Sequence, residues 1–189
     1  VILFDDPDSM APLFPTYAGK RRPVGGLFAQ GDDRNYVVVA VKANETRTNA
    51  FHEYTHVLLA RRRLSLPLWL GEGLSDLYSN AEVGQREVVI GRAHREHARL
   101  LKERGLLPLD TVFDADQDSP EYNEAGRQDQ FYAQSWAMAH YVFVGSGRGP
   151  AFVEALAAGQ SGQQAFTSAL GIPPDRQQKT LATYIARLA

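Results

Sequence analysis

The rhythm of apolar and polar residues changes along this chain, and each change marks an element. Two β-branched stretches come first: VILF at 1–4, and NYVVVAV at 35–41 after the turn signal GDD. Both predict strands. A third stretch, VGGLFAQ at 24–30, suits a strand, although its paired glycines, Gly25 and Gly26, equally suit a turn or a close approach of backbone to something bound. From Thr46 or Thr48 the rhythm becomes helical, with Ala50, Phe51, Tyr54, Val57, Leu58 and Ala60 on overlapping i, i+3 and i+4 spacings. Thr48 is the expected N-cap of a helix of about 15 residues. Arg61, Arg62 and Arg63 follow where a helix C-terminus favours cations, and Pro67 lies beyond the end.

A second helix is predicted from about Gly71 to Asn80, then a short strand in EVVIG at 87–91. Further helices are expected near 93–104, 127–145, 149–158, 161–170 and 174–188, punctuated by Gly105, Pro108, Pro120, Gly147, Gly159 and Pro173. Strands before helices, with no repeat and no linker, predict an α+β fold in one domain over 1–189. Its expected parts are a strand-rich lobe at 1–47, a helix pair at 48–80 and a helical lobe at 92–189.

Composition narrows the partners. A chain of 189 residues that is 44% hydrophobic can bury a sizeable core. Its formal charge of -2, from 20 basic and 22 acidic side chains, lacks the basic excess that phosphate-backbone binding relies on, so nucleic acid is not an expected partner. The longest purely apolar run, YVVVAV at 36–41, falls far short of the roughly 20 residues of a membrane span. The chain opens VILFDDPD, without an initiator methionine or a signal-peptide pattern, which predicts a mature or excised fragment. With no cysteine, any metal must be held by His, Asp or Glu.

Such a site is offered by TNAFHEYTHVLLA at 48–60. At 3.6 residues per turn, positions i and i+4 lie within about 40° of each other, so His52 and His56 share a helix face. Adjacent turns suit two imidazole ligands of zinc. Glu53, roughly 100° round the helix, can flank the metal without ligating it, as a general base for water does. Two surface histidines with a solvated glutamate between them would need no metal. The apolar neighbours favour the metal, because buried imidazoles require partners.

A catalytic zinc usually takes three protein ligands, and LPLWLGEGLSDLYSN offers Glu72, after fifteen intervening residues. That gap allows the chain to turn at Pro67 and return antiparallel. Asp76, one helical turn further on, is placed to accept the second N–H of a ligand histidine. Taken singly, Glu72 reads as a residue complementing a helix N-terminus and Asp76 as an exposed position. Their register after a histidine pair carries the functional reading.

HEYTH followed by LWLGEGLSDLY resembles the gluzincin metallopeptidases, the superfamily of thermolysin and the zinc aminopeptidases, and is nearest to bacterial peptidase-MA-like domains. The resemblance implies a zincin-like α+β fold, in which a small, mostly antiparallel N-terminal sheet packs on the HExxH helix and a mainly helical part follows. It implies one Zn2+ per chain held by His52, His56 and Glu72, peptide hydrolysis through a zinc-activated water with Glu53 as general base, and Asp76 in the second shell. DQFYAQSWAMAHYVF at 129–143 resembles the aminopeptidase helix whose tyrosine stabilises the oxyanion, which would be Tyr132. Tyr132, Trp136 and His140 also form the i, i+4, i+8 stripe of an ordinary core helix, and His140 reads as a packed or hydrogen-bonded residue.

The spacer between His56 and Glu72 is a few residues shorter than the family's usual one. The Gly-x-Met-Glu-Asn element that reads a free N-terminal amine is absent, so endopeptidase-like rather than exopeptidase activity is expected on a peptide or protein substrate. Relatives pair the substrate with an edge strand, for which Tyr36–Val41 is the natural choice, while Gly25 and Gly26 could bring a loop over the cleft. His94 and His97, in GRAHREHARLLKERG, read as a solvated helix face, and KRRP at 20–23 as a solvated turn. Two other readings stay open: a non-catalytic zinc-containing peptide-binding or scaffold domain, and hydrolysis of another amide or an ester. Many secreted peptidases are built this way, which points to an extracytoplasmic bacterial protein.

Overall fold

The computed structural model describes residues 1–42, 45–61 and 66–188. By contacts the chain divides into two compact units, Val1–Arg63 and Leu64–Ala189. The first contains β1 (Ile2–Phe4), α1 (Pro7–Met10), a 3-10 turn at Ala11–Leu13, β2 (Thr16–Tyr17), β3 (Lys20–Arg21), β4 (Gly26–Gln30), β5 (Asn35–Ala40) and α2 (Thr46–Ala60). The main sheet has the order β1-β5-β4. β4 and β5 pair antiparallel from Gly26 opposite Val39 to Gln30 opposite Asn35, and β1 joins β5 in parallel, Ile2 opposite Val38.

β5 reads as an unbroken apolar run because it is buried on both faces. Val38 and Ala40 meet Met10, Phe4, Phe14, Val24 and Leu27 on one side, and Val37 and Val39, pointing the other way, are buried too. The central place of β5 corrects the expectation that Tyr36–Val41 pairs with a substrate: its backbone is already engaged by β1 and β4. β4 is an edge strand of this sheet. KRRP also differs from the expected turn, since Lys20 and Arg21 pair with Tyr17 and Thr16 in a two-residue hairpin.

The helical pattern from Thr46 yields α2, fifteen residues long, packed on β4 and β5. Its N-cap is Glu45, in the left-handed region at φ 62, rather than Thr48. The hydroxyl of Thr46 instead donates to the carbonyls of Val41 (2.8 Å) and Ala40 (3.3 Å), tying the helix start to the end of β5. The apolar stripe is weaker than expected, because Tyr54 and Leu58 lie exposed. Arg61 caps the C-terminus, whereas Arg62 and Arg63 lie outside the described residues.

The second unit holds α3 (Leu68–Ser79), a hairpin of β6 (Glu82–Val83) and β7 (Val88–Val89), and α4 (Arg95–Arg104). Then come α5 (Leu109–Asp114), α6 (Pro120–Asn123), α7 (Arg127–His140) with a π-helical extension at Tyr141–Gly145, α8 (Gly149–Ala157), α9 (Gly162–Leu170) and α10 (Pro174–Ile185). α3 begins right after Pro67, three residues before Gly71, because a proline at the N-cap needs no helical donor. The strand expected in EVVIG is reduced to Val88 and Val89.

α3 is buried over most of its length and packs on α7. Gly73 is the point of closest approach: a Cβ there would lie 2.2 Å from the Ser135 carbonyl oxygen. Trp69, fully buried, anchors the other side of α3 against Phe113, Phe152 and Phe166 at ring distances of 5.9, 5.9 and 6.4 Å. The fold is thus α+β, with small sheets in the N-terminal part and a mainly helical remainder. Among the described residues, no helix is long and apolar enough to cross a membrane.

His140 is a structural pin, 3% exposed. Its Nε2 lies 2.9 Å from the Gly91 carbonyl and must donate to it, so in the neutral ring Nδ1 accepts from the Tyr184 hydroxyl at 2.6 Å. Burial holds this imidazole below its ordinary range. A depressed folded value means the stability tied to neutral His140 is complete above about pH 6.5 and is lost as pH falls through the folded value. Urea midpoints measured between pH 7.5 and 5 are expected to fall for the native chain. His140→Gln should start lower and fall less steeply; an equally steep fall would remove His140 as a source of the pH dependence.

Candidate metal centre

In the first unit, α2 places its two histidines one turn apart with Nε2 atoms 3.2 Å from each other. Two nitrogens at 2.0–2.1 Å on adjacent corners of a tetrahedron would be separated by about 3.4 Å, so the pair has the spacing of a shared cation. Their rings meet edge to face at 5.0 Å, and Phe28 of β4 lies parallel to His56 at 6.2 Å and 18°. Thr55, the buried residue of α2, bonds its hydroxyl back to the Phe51 carbonyl at 2.8 Å.

Glu53 is held against β4. A Cβ added to Gly26 would come 2.8 Å from Glu53 Cγ, and one added to Gly25 would come 2.3 Å from Asn49 Nδ2. The paired glycines therefore serve the close approach of backbone, here to two side chains of α2 one turn apart. They belong to the entry of β4 instead of a loop over a cleft.

In the second unit, Glu72 is 4% exposed on α3. Tyr122 of α6 donates its hydroxyl to Glu72 Oε1 at 3.2 Å. Tyr132 of α7 lies beside Tyr122, ring centres 5.9 Å apart, and is hydrogen-bonded to it. Burial, followed by the negative charge of Glu72, holds the Tyr132 phenol well above its ordinary range, so it stays a proton donor. The sequence around Tyr122 carries no motif that marks this role. Its four-residue helix carries no periodic pattern, and only the aromatic residue behind Pro120 signals it.

One turn after Glu72, Asp76 Oδ2 accepts from His97 Nε2 at 3.2 Å, which fixes the proton on that nitrogen. This corrects the solvated face expected for His94 and His97. The His97 side chain is 21% exposed, stacks on His94 at 3.8 Å and 11°, and leans on Trp136 at 5.8 Å. His94 is the N-cap of α4, its Nδ1 accepting from the His97 backbone N–H at 3.4 Å, and burial lowers its pKa. The surrounding charges disguise both rings in the sequence, because they lie on the other side of α4.

His52, His56 and Glu72 form a group that could hold a metal ion: each offers one ligand atom, and these atoms all lie within 4.8 Å of one another. The set is two neutral-capable nitrogens and one carboxylate, which fits a tetrahedral ion with an open fourth position.

The protein-family description that matches is "Protein of unknown function (DUF1570)", over residues 48–158. The chain belongs to the DUF1570 family. No curated protein and no solved structure is similar enough to count as a match. The stretch shared with DUF1570 begins at Thr48 and so takes in both histidines, Glu53, Glu72, Asp76, Tyr122 and Tyr132. The strands of the first unit lie outside it.

Proposed function

We propose that the chain is a zinc-dependent metallopeptidase of the gluzincin type that cleaves within peptide or protein substrates. The observation that carries this reading is the convergence of ligand atoms from His52, His56 and Glu72. A zinc ion there would act as a Lewis acid on the scissile carbonyl and make water a nucleophile at neutral pH.

Glu53 is the general base. It adjoins ligand His52 in the chain without joining the ligand set, and it takes a proton from the attacking water and returns it to the departing amine. Tyr132, kept protonated by its surroundings, donates to the oxygen on which negative charge builds. Asp76, on the turn after Glu72, accepts from His97 and steadies the part of α3 that carries the ligand. An extended substrate would add to β4, the edge strand whose first residue packs on Glu53, and exposed backbone groups accept peptides of many sequences.

Gly26→Ala tests the seat of Glu53. The new methyl must displace the glutamate, and because about 1 Å of misplacement can cost about 100-fold, kcat is expected to fall roughly 10- to 100-fold with zinc content unchanged. Full activity in Gly26→Ala would mean that the observed seat of Glu53 is not the working one.

The reading is tested by assaying fluorogenic peptides beside simple amides and esters, before and after chelation and zinc return. Peptide cleavage that disappears with chelator and returns with zinc supports it. Cleavage confined to esters or simple amides would replace peptidase with another hydrolase. Zinc binding without any turnover would favour the scaffold or peptide-binding alternative.

A further inference from the structure

Buried carboxylates have two oxygens to satisfy. If one oxygen of Glu72 ligates a metal, the other needs a donor of its own, because an unpartnered buried acceptor is costly. That donor is present, since Tyr122 supplies its O–H to Oε1 at 3.2 Å. Resting on the proposed role of Glu72 as a zinc ligand, we propose that Tyr122 is a positioning residue that restricts Glu72 to ligation through a single oxygen.

The segment carrying Tyr122 is built to aim it. α6 has four residues, too few to hold a helix without outside help. Side chains fix it: Asn123, buried, donates to the carbonyls of Gln117 (2.7 Å) and Ser119 (2.9 Å), and Asp116 accepts from Ser119 Oγ (2.8 Å) and the Asp118 backbone N–H (3.0 Å). The Tyr122 ring is then clamped by α7, edge to face with Phe131 at 6.0 Å and beside Tyr132 at 5.9 Å. A phenol packed against Phe131 and Tyr132 can swing little, so its hydroxyl stays on Oε1 and keeps that oxygen from the metal.

This separates the duties of the two tyrosines. Tyr122 has its proton committed to Glu72, which disqualifies it as the donor to a developing oxyanion. Tyr132 donates to Tyr122 in the resting arrangement and is the one able to turn its proton toward substrate. In Tyr122→Phe the ring packing survives, but Oε1 loses the phenol donor. The carboxylate can then offer both oxygens to the metal, raising the coordination number from four to five and narrowing the position that catalysis leaves open.

The experiment is zinc affinity by competition with a chromogenic chelator, together with the visible absorption of the Co2+-substituted protein, for the native chain, Tyr122→Phe, Tyr132→Phe and Glu72→Ala. Thermal unfolding of each metal-free form serves as the folding control. Tyr122→Phe is expected to lose about 10- to 100-fold in zinc affinity and to show the weaker cobalt bands of a five-coordinate ion. Tyr132→Phe should keep native affinity and native bands. Native affinity and native bands in Tyr122→Phe would overturn the inference and leave the metal site standing. Zinc bound equally well by Glu72→Ala would overturn the ligand assignment, and this inference with it.

Discussion

Glu53→Gln is expected to retain about one zinc per chain while peptide hydrolysis falls by roughly 1000-fold, the scale of a lost general acid–base group. Glutamine keeps the size of the side chain, so its fit against Gly26 and the neighbouring histidine ligands should be undisturbed. What it loses is the ability to accept a proton, and that ability is the only duty the mechanism gives Glu53. The informative comparison measures zinc stoichiometry and kcat on one preparation. Zinc retained with kcat collapsed assigns the proton transfer to Glu53. Most of the native rate surviving in Glu53→Gln would show that another group moves the proton, and zinc lost would show that the carboxylate shapes the ligand pair.

The largest expected effect on stability comes from the glycine next to Glu72. In Gly73→Ala the new Cβ would stand 2.2 Å from the Ser135 carbonyl oxygen and 2.7 Å from its carbon, both backbone atoms of α7 that cannot rotate aside. α3 and α7 must part, at an expected loss of about 3 kcal/mol, the upper end of the usual overpacking range. For a chain of this size that lowers the unfolding temperature by roughly 10 °C. Gly71, on the other flank of Glu72 in the same helix, is the control, because nothing lies within 4 Å of its would-be Cβ. Gly71→Ala should stabilise α3 by about 0.5–1 kcal/mol through helix propensity. Two alanines two residues apart with opposite signs on calorimetry would establish the close helix contact; equal effects would refute it.

Much of the candidate site was legible because its chemistry is local. The i, i+4 spacing of His52 and His56 and the flanking Glu53 follow from the pitch of one helix, and Glu72 and Asp76 likewise share a single helix. Of the helices after residue 92, α4, α7, α8, α9 and α10 were legible from their glycine and proline punctuation, whereas the short α5 and α6, of six and four residues, were not. What escaped depends on partners distant in the chain. Tyr122 gains its meaning from a carboxylate fifty residues earlier, and His97 from Asp76, twenty-one residues earlier. In a charged stretch such as GRAHREHARLLKERG, no periodicity tells which side of the helix is covered. The strand order β1-β5-β4 escaped for the same reason: it is set by pairing across the unit, and an apolar run shows only that a strand is buried.

The most direct test of the account is zinc measured by mass spectrometry on the purified, untagged chain beside Glu72→Ala, with chelator-sensitive hydrolysis assayed on the same samples. The account predicts about one zinc per native chain, loss or marked weakening of that zinc in the variant, and peptide cleavage that follows the metal. A native chain that takes up no zinc even after reconstitution would contradict it.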